Sequence, residues 1–153
     1  ISNWELKADP KHGVSREIYE GLRKKQDVLP GDLLMVRDGT YLIGTCAIIT
    51  DADAEMVYQS HIFKIRVHKN NIGLNPYLLL AVLSSSAVQK QIRSKQFTMD
   101  IIDSLGDRIN ELVLPVPKAK TKITEIVSKT QKSVEHRIEA RQLAQEARAA
   151  VMS

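Results

Sequence analysis

Reactive chemistry in this chain of 153 residues would have to come from four histidines, one cysteine and a few acid clusters. His12, His61, His68 and His136 are scattered, and none stands at metal-ligand spacing from Cys46. No glycine-rich phosphate loop, dinucleotide fingerprint or nucleophile elbow is present. Asp51 and Asp53 fall in a turn, whereas Asp100, Asp103 and Asp107 border apolar residues, where capping and surface roles outweigh acid-base work. Cys46 lies between Gly44-Thr45 and Ala47-Ile48-Ile49 and reads as a small buried hydrophobe of a strand rather than a nucleophile. His61 is expected on the apolar side of its strand, as a core histidine. The expectation is a non-catalytic chain with no metal and no cofactor.

Charge is more informative. The net charge is +4, but residues 56–99 carry Lys64, Arg66, Lys69, Lys90, Arg93 and Lys95 with no Asp or Glu. A 44-residue stretch without acid is the footprint expected of a polyanion-binding surface. An ordinary solvated face is the alternative. A single cysteine excludes an internal disulfide framework and fits a reducing compartment. No apolar run reaches the ~20 residues that span a bilayer, and no signal peptide is visible. The first residue is Ile, so a piece of a longer polypeptide is expected.

The elements that would position these charges follow from punctuation and periodicity. Residues 16–25 form an amphipathic helix with Ser15 as candidate N-cap and Ile18 and Leu22 at i, i+4. Leu33 to Val36 is a strand, Arg37-Asp38-Gly39-Thr40 a tight hairpin turn, and Tyr41-Leu42-Ile43 with Thr45 to Thr50 the returning strand. Gly44 marks a bulge or a close backbone approach. Val57 to Val67 alternates as one long strand with Tyr58, Ser60, Lys64 and Arg66 on its polar face. Pro76 opens an apolar core helix, and a polar helix with Lys90, Gln91 and Arg93 follows Ser84-Ser85-Ser86. Lys95 to Thr98 reads as a loop, and Ile101-Ile102 and Ile109 to Val113 as short apolar runs. The order indicates an α+β fold: a small, curved, mainly antiparallel sheet with short flanking helices and one long C-terminal helix.

That helix begins at a sharp join. All seven glycines and all five prolines lie between Pro10 and Pro117, and no Gly, Pro or aromatic residue occurs after it. Residues 1–117 therefore read as a globular domain and 118–153 as a helical arm. Ile123, Val127, Thr130 and Val134 recur in a coiled-coil spacing of about two heptads, which shifts through Ile138. So narrow an apolar stripe needs a partner helix.

Several segments in order carry a family resemblance. They are Pro30-Gly31-Asp32-Leu33-Leu34, Arg37-Asp38-Gly39-Thr40 with Gly44 following, Gln59 to Arg66, Pro76 to Leu80 with Ser84-Ser85, Gln91 to Thr98, and Leu112-Val113-Leu114-Pro115-Val116-Pro117 before the long helix. Together they resemble the target recognition domain of specificity subunits in type I restriction-modification systems, and the similar C-terminal domain of fused type II methyltransferase-nucleases. Lys118-Ala119-Lys120-Thr121-Lys122 stands where family members usually carry a Gln, which favours a fused or divergent member.

The resemblance implies sequence-specific binding of double-stranded DNA in a bacterial or archaeal cytoplasm, serving an adenine methyltransferase and a nuclease located elsewhere. Lys and Arg would hold phosphates, while loop side chains would read base edges in the major groove. The candidate DNA-binding residues are Arg37, Asp38, Thr40, Tyr41, Tyr58, Ser60, Lys64, Arg66, Lys90, Arg93, Ser94, Lys95, Gln96 and Thr98. The stripe Ile123, Val127, Thr130, Val134 and Ile138 would meet the methyltransferase subunit or a second copy of the chain. Two alternatives stand beside this reading: a non-catalytic protein-interaction module with a basic face and a coiled-coil arm, and an RNA binder with few aromatics for stacking.

Overall fold

The computed structural model describes residues 1, 4–6, 13–39, 41–53, 55–99 and 102–152; His12, Thr40 and Asp100 lie outside them. The fold is α+β, with two small antiparallel sheets in place of the single sheet expected. β1 (Leu33–Val36) is the centre of the first, between β3 (Cys46–Ile48) and β4 (Ile62–Ile65). Leu33 stands opposite Ile48 on one side and Ile65 on the other, and the whole of β1 is buried. An all-apolar run of four residues suits a central strand covered on both faces. At the outer edge of β3, Trp4 forms a parallel bridge to Ala47, and its indole N–H donates to Ser84 Oγ at 2.8 Å.

The second sheet, in the order β2-β6-β5, joins Asp38–Gly39 (β2) to the hairpin of Phe97–Met99 (β5) and Ile102–Ser104 (β6). It corrects two expectations, and further corrections lie outside it. Asp38-Gly39 is not the tip of a tight hairpin: Asp38 pairs with Ser104 and Gly39 with Asp103, Gly39 taking a φ of +146°. The turn closes later, where Thr45 N–H donates to Leu42 C=O, so Arg37 to Gly44 becomes a wide loop. Phe97 and Thr98 are strand rather than loop, and Gly106–Glu111 is a 3-10 turn. The long strand expected from Val57 starts only at Ile62, because the Gln26 side chain takes both backbone groups of Tyr58 and a turn bonds Ile62 N–H to Gln59 C=O.

Helix α1 (Arg16–Gln26) carries its Ser15 cap but buries no residue fully. Helix α2 (Pro76–Leu83) has Asn75 as N-cap and Pro76 in its first turn, and is apolar almost all round. A helix of that composition must be enclosed, and α2 lies between the first sheet and the C-terminal helix. Helix α3 (Ser86–Lys95), capped by Ser85, sends Val88 and Ile92 into the core and turns Lys90, Arg93 and Ser94 outward. Gly44 is where the wide loop meets α3. Its φ is +83°, and a Cβ there would lie 2.8 Å from Ile92 Cδ1, so the expected close approach is present.

The C-terminal helix α4 (Lys120–Met152) is one element of 33 residues, about 50 Å long at 1.5 Å per residue. The partner its stripe requires is found within the chain. Thr130 and Val134 are buried, and Ile123, Val127 and Ile138 sit half-buried on the core with α2 beneath. For these five residues an intermolecular role is corrected to an intramolecular one. Further along, Arg137 reaches Glu5 at 3.4 Å, while Arg141 donates to Leu6 C=O at 3.1 Å and pairs with Asp53 at 2.9 Å. Residues 142–151 are exposed, Leu143 at 57% and Val151 at 85%.

Two parts of one helix should therefore differ in their bearing on stability. Val134→Ala is expected to cost about 2 kcal/mol in urea unfolding, the range for small core truncations. Removal of residues 143–153 is expected to cost less than about 0.5 kcal/mol, as for exposed positions. Equal effects from the two changes would show that α4 is not docked as described.

Candidate nucleic-acid interface

The second sheet gathers residues far apart in sequence. It fixes the loop from Arg37 to Gly44 against the β5–β6 hairpin, and Gln89 of α3 ties that loop down by donating to Gly44 C=O at 3.1 Å. Two of the three groups expected to meet nucleic acid, Arg37 to Tyr41 and Lys90 to Thr98, thus occupy one end of the molecule. The third group, around Lys64 and Arg66, is turned to another task.

Asp38 holds this end together. Its side chain is 2% exposed. One carboxylate oxygen accepts from Arg37 Nε at 2.9 Å and faces His61 Nδ1 at 3.0 Å; the other accepts from the buried Ser104 hydroxyl. Backbone bonds run in parallel, from Arg37 N–H to His61 C=O and from Leu105 N–H to Arg37 C=O. Burial alone would raise the Asp38 pKa, but the hydrogen bonds from Arg37, Ser104 and His61 outweigh it and bring it to about 2. Asp38 is thereby corrected from a base-contacting residue to a buried positioning residue, since its acceptor capacity is already used. His61 is corrected too: it is exposed and partners Asp38, rather than lying in the core.

Lys64 and Arg66 complete the end of α1. The last carbonyls of a helix lack intrahelical partners and carry partial negative charge. Lys64 Nζ donates to Gln26 C=O at 2.7 Å and Asp27 C=O at 2.9 Å, and Arg66 donates to Asp27 C=O and the Asp27 carboxylate. Arg66 also forms a two-pronged pair with Asp32, at 2.6 and 2.8 Å. Asp32 is 1% exposed; burial pushes its pKa up, and the Arg66 bonds with the Leu29 N–H bring it below the ordinary value. Arg66 of the acid-free stretch is thus met by acids from the stretch before it, and Lys64 by the carbonyls that end α1. Lys95 is likewise paired, with Glu111 at 2.7 Å.

The remaining candidates are freer. Lys90 and Arg93 are exposed and enter no ion pair among the described residues, and they lie one turn apart on α3. Ser94 is exposed with its hydroxyl donating to Gln91 C=O, Thr98 is exposed and bonds Asp103, and Gln96 is half-buried. Tyr41 stands 93% exposed on the wide loop. Ser60 is exposed, at the turn leading into β4. Arg108, missed in the sequence, sits 5.4 Å over the Phe97 ring beside the hairpin; only the strand pairing of Phe97 could have signalled it.

Other chemistry is sparse among the described residues. No group of three metal-ligating side chains assembles, and no helix is long and apolar enough to cross a membrane. Burial pushes the Cys46 thiol up to about 12, which leaves it protonated and unreactive at neutral pH. The sequence matches no protein-family model and no curated protein.

The Asp38 cluster makes stability pH-dependent with a definite sign. A carboxylate depressed from 3.8 to about 2 stabilises fully above its unfolded value, and that contribution is lost as pH falls from about 4 through about 2. It amounts to about 2 kcal/mol. Asp38→Asn should therefore lose less stability than the unaltered chain over that window, in denaturant titrations at each pH. Parallel curves would disprove the cluster's role.

Proposed function

We propose that this chain is a non-catalytic reader of double-stranded DNA, the target recognition component of a restriction-modification system that directs an adenine methyltransferase and a nuclease carried elsewhere. The observation that carries the reading is the second sheet. It holds Thr98 and the loop that carries Tyr41 together at one end, and α3, with Ser94 and the exposed cations Lys90 and Arg93, which enter no ion pair among the described residues, leads directly into it. The sequence resemblance supplies the biological setting. Phosphates would meet Lys90 and Arg93 and set the orientation. Tyr41 on the loop, Ser94 and Gln96 at the end of α3 and Thr98 on the hairpin offer donors and acceptors that would reach base edges. Lys64, Arg66 and Lys95 contribute to that end only indirectly, through the fold they hold. The exposed residues 142–151 of α4, with Leu143 and Val151, are where a modification subunit or a second copy would attach.

The test is binding of the intact chain to a random-sequence duplex pool across ionic strength, followed by selection of the retained sequences. Replacing Lys90 and Arg93 together by Ala is expected to weaken binding about tenfold and to lower the salt slope by about two. Replacing Lys129 and Lys132 of α4 should change it less than about twofold. Equal losses from both pairs would mean diffuse electrostatics. No salt-dependent affinity for any duplex would leave the protein-interaction reading in its place, and preference for RNA of the same sequences would replace DNA as the ligand.

A further inference from the structure

The outer edge of β4 is open, and it runs beside an apolar groove. The register fixes which backbone groups face outward. Arg37 N–H donates to His61 C=O, so the alternate pairs Met35–Phe63 and Leu33–Ile65 also exchange hydrogen bonds with β1. Lys64, in the non-bonded pair with Leu34, therefore directs its N–H and C=O away from β1. Arg66, continuing the alternation, does the same. No backbone bond from either residue to another element occurs among the described residues.

The groove along this edge has a volume of about 660 Å³. Ile65 and Val67 from the β4 side, Leu79 and Leu83 from α2, and Leu112 and Leu114 from the segment before α4 contribute its apolar surface. The lining includes Lys64, Arg66 and Lys69 and no carboxylate. Asp27 and Asp32 already pair with Arg66, and the Gln26 and Asp27 carbonyls hold the Lys64 ammonium, whereas Lys69 is exposed and enters no ion pair among the described residues.

We propose that this edge and groove form a docking site for an extended segment of a partner protein, which adds a strand to β4. The rule that opposite residues of paired strands share a face sets its pattern. Residues opposite Ile65 and Val67 enter the groove and are apolar. Residues opposite Lys64 and Arg66 lie on the cationic face, and the one nearest Lys69 is a carboxylate. Main-chain bonds supply affinity and the alternate side chains supply selectivity. The site is independent of the nucleic-acid reading, because it involves neither the wide loop nor the β5–β6 hairpin.

The test uses the intact chain and a soluble library of heptapeptides with Val, Ile, Leu or Phe fixed at alternate positions and all residues allowed between them. Enrichment of Asp or Glu at one intervening position, lost by at least fivefold in Lys69→Glu, is the expected result. With the best peptide bound, amide hydrogen exchange at Lys64 and Arg66 should slow at least tenfold, while Phe63 and Ile65, already bonded to β1, should change little. Failure of any alternating peptide to bind would overturn the proposal, as would binding unaffected by Lys69→Glu. Slow exchange at Lys64 and Arg66 in the free protein would overturn it too, and if that protection grew with protein concentration, the occupant would be a second copy. Duplex binding measured with and without peptide keeps this outcome separate from the DNA reading.

Discussion

The Asp38 carboxylate stands where the chain passes from one sheet to the other, and the arrangement of the binding end depends on it. A buried carboxylate is costly to desolvate unless its acceptors are filled. Here an arginine, a histidine ring and a buried serine hydroxyl fill them, and each comes from a different part of the fold: Arg37 from the end of β1, His61 from the entry to β4, Ser104 from β6. Satisfying one anion fixes the relative position of three segments. The loop that carries Tyr41 is anchored at this point and again at Gly44 under Ile92, so its exposed residues are presented by a braced frame.

A second constraint is the enclosure of α2. Its sequence offers no polar face, and the first sheet covers only one side of it. The first five turns of α4 supply the other cover, with Val134 in the core and Thr130 returning its hydroxyl to Ile126 C=O so that no buried donor is orphaned. Ion pairs and a carbonyl contact from Arg137 and Arg141 then fasten the middle of α4 to the N-terminal segment and to Asp53. The long helix is thus both a wall of the core and, beyond Arg141, an exposed projection.

Much of this was legible in the sequence wherever the signal is local. Ser15, Asn75-Pro76 and Ser85 mark helix starts through side-chain geometry, and the apolar run Leu33 to Val36 marks a buried strand, so these elements stand where expected. The readings that failed concern pairings between distant segments. Asp38-Gly39 has the composition of a tight turn, and only its pairing with Ser104 and Asp103 makes it a strand. The stripe Ile123 to Ile138 announces a helical partner without saying that the partner lies some 45 residues upstream in α2. Charge counting along residues 56–99 does not show, for the same reason, that Asp27 and Asp32 lie outside that window in sequence and against Arg66 in space. Lys90 and Arg93 are exposed because helical spacing puts them on the face of α3 opposite Val88 and Ile92.

Cys46 has a practical consequence. It is the chain's single thiol, it sits on β3 under the edge formed by Trp4, and burial keeps it protonated. A thiol in that position reacts with an alkylating reagent only during excursions that lift β3 away from β1. The labelling rate of the unaltered chain is thus a clock for the opening of the first sheet. The same clock read with duplex, peptide or partner present reports whether that ligand tightens the sheet, without any probe having to be introduced.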